Sequence, residues 1–217
     1  MFLDTSAESA VKQRVAALES ATGVEVVVAV IARADSYPEI PWKAFALGVS
    51  LAALAAVAAA AIEPGWETFE AVAETAVTAL AAGAAAALAT VWIAPCARLF
   101  LTRARRQAEV LQYAQAMFLE TELHRTRRRD GILLLVSLFE REVVVLADRG
   151  VREKLGPGEL DPVVAAVTAR LRRGQLEEAL RDGIAQLEAV LTGRGFRAQP
   201  GEPNELADAP VQRRRPS

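Results

Sequence analysis

The chain has 217 residues and a formal net charge of −2, which suits one domain of ordinary size with some additional elements. Because no basic field extends over the whole chain, we expect no nucleic-acid partner. The single cysteine, Cys96, excludes an internal disulfide and a thiolate-rich metal site, and the single histidine, His124, excludes a multi-histidine site. Any chemistry would therefore depend on carboxylates, hydroxyls and arginines.

The amino-terminal part of the chain predicts a helix followed by a buried strand. Thr5 and Glu8 have the spacing of a capping box, and apolar residues then recur at helical spacing until Gly23, so we expect a helix over residues 5–22. The run EVVVAVI at 25–31 is β-branched and almost wholly apolar. Such a run is typical of a central strand that is covered on both faces.

Two long apolar stretches follow this strand. No charged residue occurs over 44–62 or over 76–97, and about 20 apolar residues are enough to span the hydrocarbon core of a bilayer. We therefore predict a transmembrane hairpin at 41–101, the alternative being a buried helical hairpin of a soluble protein. Pairs of small residues four positions apart would allow close helix packing; they are Gly48 with Ala52, and Gly83 with Ala87.

The charges around these stretches predict an orientation. The connecting loop, 63–75, has four glutamates and no lysine or arginine, and it includes Trp66 near a predicted helix end. Basic residues lie at the other ends of the stretches: Arg33, Lys43, Arg98, Arg103, Arg105 and Arg106. Because basic flanks stay in the cytoplasm, we expect a multi-pass protein of the inner (cytoplasmic) membrane, with lipid as a partner and both termini cytoplasmic.

The second half of the chain predicts further helices and a β-hairpin. Apolar residues at helical spacing indicate that the second membrane helix continues to about His124. The runs GILLLVS (131–137) and EVVVLA (142–147) predict paired strands, and two amphipathic helices follow, from Asp161 and from Leu176. The predicted organisation is a divided α/β domain (1–40 and 102–193), the hairpin (41–101), and a disordered tail (194–217).

These segments resemble the TPM domain, a family named for thylakoid-lumen, photosystem-repair and acetylcholine-receptor accessory proteins. The resemblance covers about residues 5–192 and is carried by TGVEVVVAV and DGILLLVSLFEREVVVLADRGV. The stretch SYPEIPWKAFALG is similar to a bacterial subgroup that has a membrane hairpin inserted after the first strand. The resemblance implies an α/β fold in which helices flank a small mixed β-sheet.

The family also implies possible chemistry. Some members bind calcium, and an acid-phosphatase activity is claimed for the plant lumenal branch. Many soluble members have a Gly-aromatic-Gly turn after the third strand. The corresponding residues here are Asp148, Arg149 and Gly150, so only the last glycine is kept.

The strand order predicts where a site would lie. If the first two strands are parallel and the third returns beside the second, Glu25, Asp130 and Asp148 meet at one edge of the sheet, with His124 and Arg149 close by. Such carboxylates suit calcium or an acid/base pair. The alternative is that each acid caps a strand or pairs with a nearby arginine, the candidates being Arg125, Arg127, Arg128 and Arg129.

The preferred functional hypothesis is a non-enzymatic accessory or assembly factor that binds a membrane complex or another subunit. The first alternative is a metal-dependent or acid phosphatase that uses the three acids. The second is a calcium-binding module. The sequence does not decide between these three functions.

Overall fold

The computed structural model describes residues 2–62, 68–198 and 210–213. Two compact units divide the chain: the α/β unit comprises 1–35 and 106–217, and the hairpin unit comprises 36–105. The helices are α1 (Thr5–Thr22), α2 (Glu39–Ile62), α3 (Phe69–Trp92), α4 (Ala94–Leu99), α5 (Arg103–Glu120), α6 (Arg149–Arg152), α7 (Asp161–Leu171) and α8 (Leu176–Gly193). The strands are β1 (Val26–Ile31), β2 (Ile132–Ser137), β3 (Glu142–Ala147) and β4 (Val211–Arg213), and a 3-10 turn spans Leu123–Arg125.

The four strands form one mixed sheet in the order β3-β2-β1-β4. β1 pairs in parallel with β2 and with β4, whereas β2 and β3 form an antiparallel hairpin. The register aligns Val26 with Ile132, and Ile132 with Ala147. The predicted small mixed sheet, with a parallel β1–β2 pair and a β2–β3 hairpin, is confirmed.

Both faces of the sheet are covered, which explains the continuous apolar runs of β1 and β2. Alternate residues such as Val28 and Leu134 face a core built with α1, α7 and α8. The residues between them, such as Ala29 and Leu135, face a second core built mainly with α5. Because side chains alternate along a strand, a strand between two cores needs an apolar residue at every position.

Helix α1 begins as predicted but with a different cap. Asp4 lies in an extended conformation, and its Oδ1 accepts a hydrogen bond of 2.7 Å from the Ala7 backbone N–H. Thr5 is the first helical residue, so the predicted capping box was wrong by one position. Asp and Thr both cap well, and the pattern alone does not select between adjacent candidates.

The predicted continuous helix from the second apolar stretch to His124 is wrong. α3 ends at Trp92, Ile93 has the extended angles φ −114° and ψ 94°, and the short α4 then contains Pro95. Proline has no backbone N–H and its ring clashes with the preceding turn, so a helix cannot pass through it unbroken. After α5 ends at Glu120, the chain enters the 3-10 turn through Glu122, which has a positive φ of 57°.

The carboxyl-terminal segment differs from the predicted disordered tail, since 211–213 form β4. Ala32 N–H donates to the Arg213 carbonyl (2.9 Å), and the Gln212 side-chain oxygen accepts from two backbone N–H groups that precede α1 (2.8 and 3.2 Å). These partners lie far away in sequence, so local composition does not reveal the strand. Residues 199–209 and 214–217 of the predicted tail lie outside the described residues.

The hairpin unit consists of α2 and α3 in contact, followed by α4. A Cβ on Gly48 would lie 2.9 Å from the Gly83 Cα, and a Cβ on Gly83 would lie 2.9 Å from a ring carbon of Phe45. The helices therefore approach at glycine positions, which confirms the predicted close packing. Glu63, Trp66 and Glu67 of the connecting loop lie outside the described residues.

Candidate functional site

The register brings the backbones of the three predicted site residues to one edge of the sheet. Ile132 N–H donates to the Glu25 carbonyl (2.8 Å), and Asp148 N–H donates to the Gly131 carbonyl (2.9 Å). Asp130 directly precedes Gly131, so all three acids lie at the start of β1, the start of β2 and the end of β3. Their side chains are buried. We call this region the acidic edge.

Arginines from the preceding segment, residues 125–129, which we call the arginine loop, approach two of these carboxylates. Arg128 Nε lies 3.5 Å from Asp130 Oδ2, and Arg129 Nη1 lies 3.9 Å from Asp148 Oδ2. Asp148 also caps α6, because its Oδ1 accepts a hydrogen bond of 2.7 Å from the Arg149 backbone N–H. Both aspartates thus have cationic partners, the arrangement that the sequence offered as the alternative to a metal site.

The packing around Gly150 explains why this last glycine of the family's Gly-aromatic-Gly turn is kept. Its N–H donates to the Arg129 carbonyl (2.8 Å), and a Cβ at this position would lie 2.7 Å from the same oxygen. A side chain there would push the arginine loop away. The retained glycine therefore serves the packing of the arginine loop against the start of α6.

The acidic edge is not recognisable as a metal site within the described part of the chain. Among residues 2–62, 68–198 and 210–213, no three or more His, Cys, Asp or Glu side chains are placed so that they could hold a metal ion. Calcium takes six to eight oxygen ligands, and the guanidinium groups beside Asp130 and Asp148 oppose a second cation by charge repulsion. A calcium site at Glu25, Asp130 and Asp148 stays a prediction.

The two residues predicted to lie near the acidic edge, His124 and Arg149, have different surroundings. His124 lies in the 3-10 turn, and its buried Nδ1 has no hydrogen-bond partner among the residues that the structure describes. The Arg149 side chain extends along α6, where its Nε donates to Glu153 Oε1 (2.6 Å). This hydrogen bond raises the pKa of Arg149 above its ordinary value.

Sequence reasoning missed a buried carboxylate at the opposite edge of the sheet. Glu140, in the β2–β3 turn, is fully buried, and its Oε1 accepts a hydrogen bond of 2.9 Å from the Ala34 backbone N–H. Its Oε2 accepts from the Ser137 hydroxyl, which is also buried. Beside it, the Arg33 guanidinium lies 4.7 Å from the Phe139 ring centroid. A glutamate in a four-residue turn usually faces water, so the pattern SLFERE does not reveal this role.

Another ion pair, between Arg213 and Glu120, lies at the β4 side of the sheet. The Arg213 guanidinium donates to both Glu120 carboxylate oxygens, at 3.0 and 2.7 Å. This hydrogen bonding lowers the pKa of Glu120 and raises the pKa of Arg213. The pair links β4 to the end of α5.

The hairpin unit supplies the other candidate functional feature. α2 and α3 are each 24 residues long and apolar enough to cross a membrane. Many of their large apolar side chains are exposed, among them Leu47, Leu51, Leu54 and Val57 on α2, and Val72, Val77, Leu80 and Leu88 on α3. A soluble hairpin would bury such a surface, so this exposure favours a lipid environment.

Comparisons with known proteins agree with the α/β fold. The NMR structure of the BA42 protein from the psychrophilic bacterium Bizionia argentinensis is similar with a TM-score of 0.58 and 14% sequence identity. The similarity covers 98% of this chain and 96% of that one. At this identity the likeness shows the fold alone. A search of curated proteins gave no match.

A family model describes the larger part of the chain. The model of the TPM domain matches residues 74–190, just over half of the chain. The match includes the acidic edge at Asp130 and Asp148 and begins within α3. This protein therefore belongs to the TPM domain family.

Proposed function

We propose that the protein is a membrane-anchored accessory or assembly protein whose TPM domain binds another subunit of a membrane complex. The observation that carries the proposal is the insertion of two exposed apolar helices, α2 and α3, between β1 and the rest of the α/β unit. Because the anchor is inserted within the sequence of the domain, both the segment after β1 and the segment before α5 would be attached to the membrane helices.

The charges around the hairpin support an orientation with the TPM domain in the cytoplasm. Lys43, Arg98, Arg103 and Arg105 flank the ends of α2 and α3 that adjoin the α/β unit, whereas Glu70 and Glu74 lie at the start of α3. Basic residues are retained on the cytoplasmic side during insertion. We therefore place the protein in the inner membrane of a bacterium, with both termini cytoplasmic.

The state of the acidic edge favours binding over catalysis. Asp130 and Asp148 have arginine neighbours, and Asp148 caps a helix. These contacts give both aspartates structural roles at this edge. The same arginine loop is exposed at Arg125, Arg127 and Arg129, so it offers positive charge to an acidic protein surface.

Purification of the full chain from native membranes in a mild detergent tests this proposal. We expect a partner in a fixed ratio, with recovery reduced several-fold when Arg125, Arg127 and Arg129 are all replaced by glutamine. Replacement of Arg14, Arg172 and Arg173, which are exposed elsewhere on the α/β unit, is the matched control and should leave recovery unchanged. Recovery of the chain alone, or equal loss in both variants, would contradict the proposal.

A phosphatase is the second candidate, because Glu25, Asp130 and Asp148 lie at one edge of the sheet. If the protein is an enzyme of this kind, it hydrolyses a generic phosphoester, and Asp148→Asn abolishes turnover while asparagine still caps α6. Absence of activity between pH 4 and 8 with added Ca²⁺ or Mg²⁺ would remove this candidate. A rise in Tm with Ca²⁺ that vanishes in Asp148→Asn would instead favour the calcium module.

A further inference from the structure

The segment that follows the second apolar helix presents bulky apolar side chains to its surroundings. α3 stops at Trp92, Ile93 is extended, and α4 turns the chain before Arg103. Trp92 is 79% exposed and Leu99 is 84% exposed, although neither residue lies in the middle of an apolar span. We call residues 92–103 the elbow.

Cationic side chains accompany these apolar groups. Arg98 lies next to Leu99 in α4, and Arg103 is exposed at the start of α5. Pro95 and Ile93 are exposed on the same segment, whereas Ala97 and Leu101 are buried. The elbow is therefore amphipathic, with indole and aliphatic groups beside guanidinium groups.

The first turns of α2 extend this surface. Gly48 and Gly83 are in contact in an antiparallel helix pair, so the start of α2 and the end of α3 lie at the same end of the hairpin. Arg105 Nε lies 3.9 Å from Glu39 Oε1, which brings the segment after the elbow to the start of α2. Trp42, which is 71% exposed, and the exposed Lys43 add one more indole and one more cation at this end.

We propose that the elbow lies in the membrane–water interface and that it binds anionic phospholipid headgroups, with Lys43, Arg98 and Arg103 as the headgroup ligands. Indole rings favour the interface, and a helix with an apolar face and a basic face lies in the interfacial plane. Anionic headgroups attract basic residues that adjoin a membrane span. This inference rests on the proposed membrane insertion of α2 and α3.

The chemistry favours a phospholipid over a protein as the occupant. Both indoles and Leu99 lie at the end of the hairpin where the apolar spans meet the basic residues, which is where the interface of an inserted hairpin falls. Phosphate accepts hydrogen bonds from guanidinium groups readily, and the acyl chain of the same lipid can cover Leu99 and Trp92. A phospholipid therefore matches both the apolar and the cationic side chains of this surface.

A depth measurement tests the position of the elbow. In a full-length Cys96→Ala background, a nitroxide spin label is attached at Leu99→Cys, and as a control at Leu54→Cys, in vesicles of phosphatidylcholine and phosphatidylglycerol. We expect the label at 99 to be accessible to dissolved oxygen and weakly accessible to a water-soluble nickel complex, and the label at 54 to lie deeper. A label at 99 that faces water, or one shielded from both reagents by a second copy of the chain, would overturn the inference.

Retention of lipid tests the choice of headgroup. The protein is released from nanodiscs with equal amounts of phosphatidylcholine and phosphatidylglycerol, and bound lipids are counted by native mass spectrometry. We expect phosphatidylglycerol to be enriched, and each of Lys43→Gln, Arg98→Gln and Arg103→Gln to weaken its binding by about fivefold. Arg14→Gln, Arg172→Gln and Arg173→Gln remove the same charge from exposed positions of the α/β unit and should leave the enrichment unchanged. Equal loss in both sets, or no enrichment at all, would contradict headgroup binding at the elbow.

The label at Leu54 separates this inference from the proposed membrane insertion. If that label also faces water, the hairpin is not inserted and the membrane part of the proposed function fails. If that label is in lipid while the label at Leu99 faces water, insertion stands and the inference about the elbow alone is wrong.

Discussion

The two units of the chain place their apolar side chains in opposite ways. In the α/β unit, Leu133, Leu134 and Leu135 of β2 are fully buried between two cores. In the hairpin unit, Leu51, Leu54 and Val57 are more than half exposed. The hydrophobic effect drives the first arrangement in water, whereas the second is the arrangement expected of helices that cross a membrane. The same apolar residue types thus lie in a protein core in one unit and on an exposed helix surface in the other.

The largest expected effect is in the core of the α/β unit. Leu134→Ala removes a fully buried side chain from β2 and should lower the free energy of unfolding of that unit by about 2–5 kcal/mol. Denaturant unfolding followed by circular dichroism measures the change. A loss below about 1 kcal/mol would show that the two-core packing of β2 is not as described.

Substitution of two similarly exposed leucines distinguishes a helix surface in lipid from one in water. Leu54 of α2 is 65% exposed and Leu119 of α5 is 60% exposed. Leu54→Asp places a charge in the apolar span and should cost about 3 kcal/mol of insertion free energy, depleting the protein from the membrane fraction. Leu119→Asp should leave membrane association unchanged and stability within about 0.5 kcal/mol. If both variants behave alike, the hairpin is in water.

The glycine contact within the hairpin gives a smaller effect. Gly83→Leu places a side chain against Phe45 and Val49 and should destabilise the hairpin by about 1–3 kcal/mol. Thermal unfolding in detergent measures it. The control is Ala84→Leu, at an exposed neighbouring position, where no loss is expected. Equal stability of the two variants would argue against the helix contact.

Substitutions of the buried Glu140 test the hydrogen bonds at the end of the sheet where β1 ends. Glu140→Ala removes the acceptor for the Ala34 N–H and the Ser137 hydroxyl, and should cost about 1–3 kcal/mol because both donors are left unpaired. Glu140→Gln keeps one acceptor oxygen and should cost less. Chemical denaturation of both variants measures the difference. A smaller loss for alanine than for glutamine would contradict the assigned hydrogen bonds.

The smallest expected effect is the pH dependence of β4. The pKa of Glu120 is lowered in the folded protein by its hydrogen bonds to Arg213, so this pair contributes stability above the unfolded pKa of about 4.3 and loses it as the pH falls through the folded value. Hydrogen exchange of the Ala32 N–H, which donates to the Arg213 carbonyl, should therefore lose protection in acid. Glu120→Gln should remove this pH dependence, and a pH dependence that persists in that variant would point to another group.

The sequence predicted the elements with strong periodicity and missed those set by distant partners. The bounds of α1 and of β3, and the end of α8 at Gly193, agree with the structure, because caps and apolar spacing are local signals. β4 forms by pairing with β1 and by the ion pair between Arg213 and Glu120, which lie 93 residues apart in the chain. Pro95 could have predicted the break at Ile93, but the long apolar pattern favoured a continuous helix.

For the candidate site, the sequence offered both a cluster of acids and pairing of each acid with a nearby arginine, without selecting the arginines. The strand order alone placed Glu25, Asp130 and Asp148 at one edge. Whether Arg128 and Arg129 turn toward the acids depends on the loop conformation, in which Arg129 has a φ of 55°. A positive φ at an arginine is rare, and the sequence pattern gives no sign of it.

Labelling of single cysteines in intact bacterial cells tests the membrane arrangement most directly. In the Cys96→Ala background, Thr68→Cys lies at the start of α3 and Lys12→Cys is exposed on α1. We expect a membrane-impermeant maleimide that crosses the outer membrane to label position 68 in intact cells, and to label position 12 only after lysis. Labelling of both positions in intact cells, or of neither before lysis, would contradict a membrane-spanning hairpin with a cytoplasmic TPM domain.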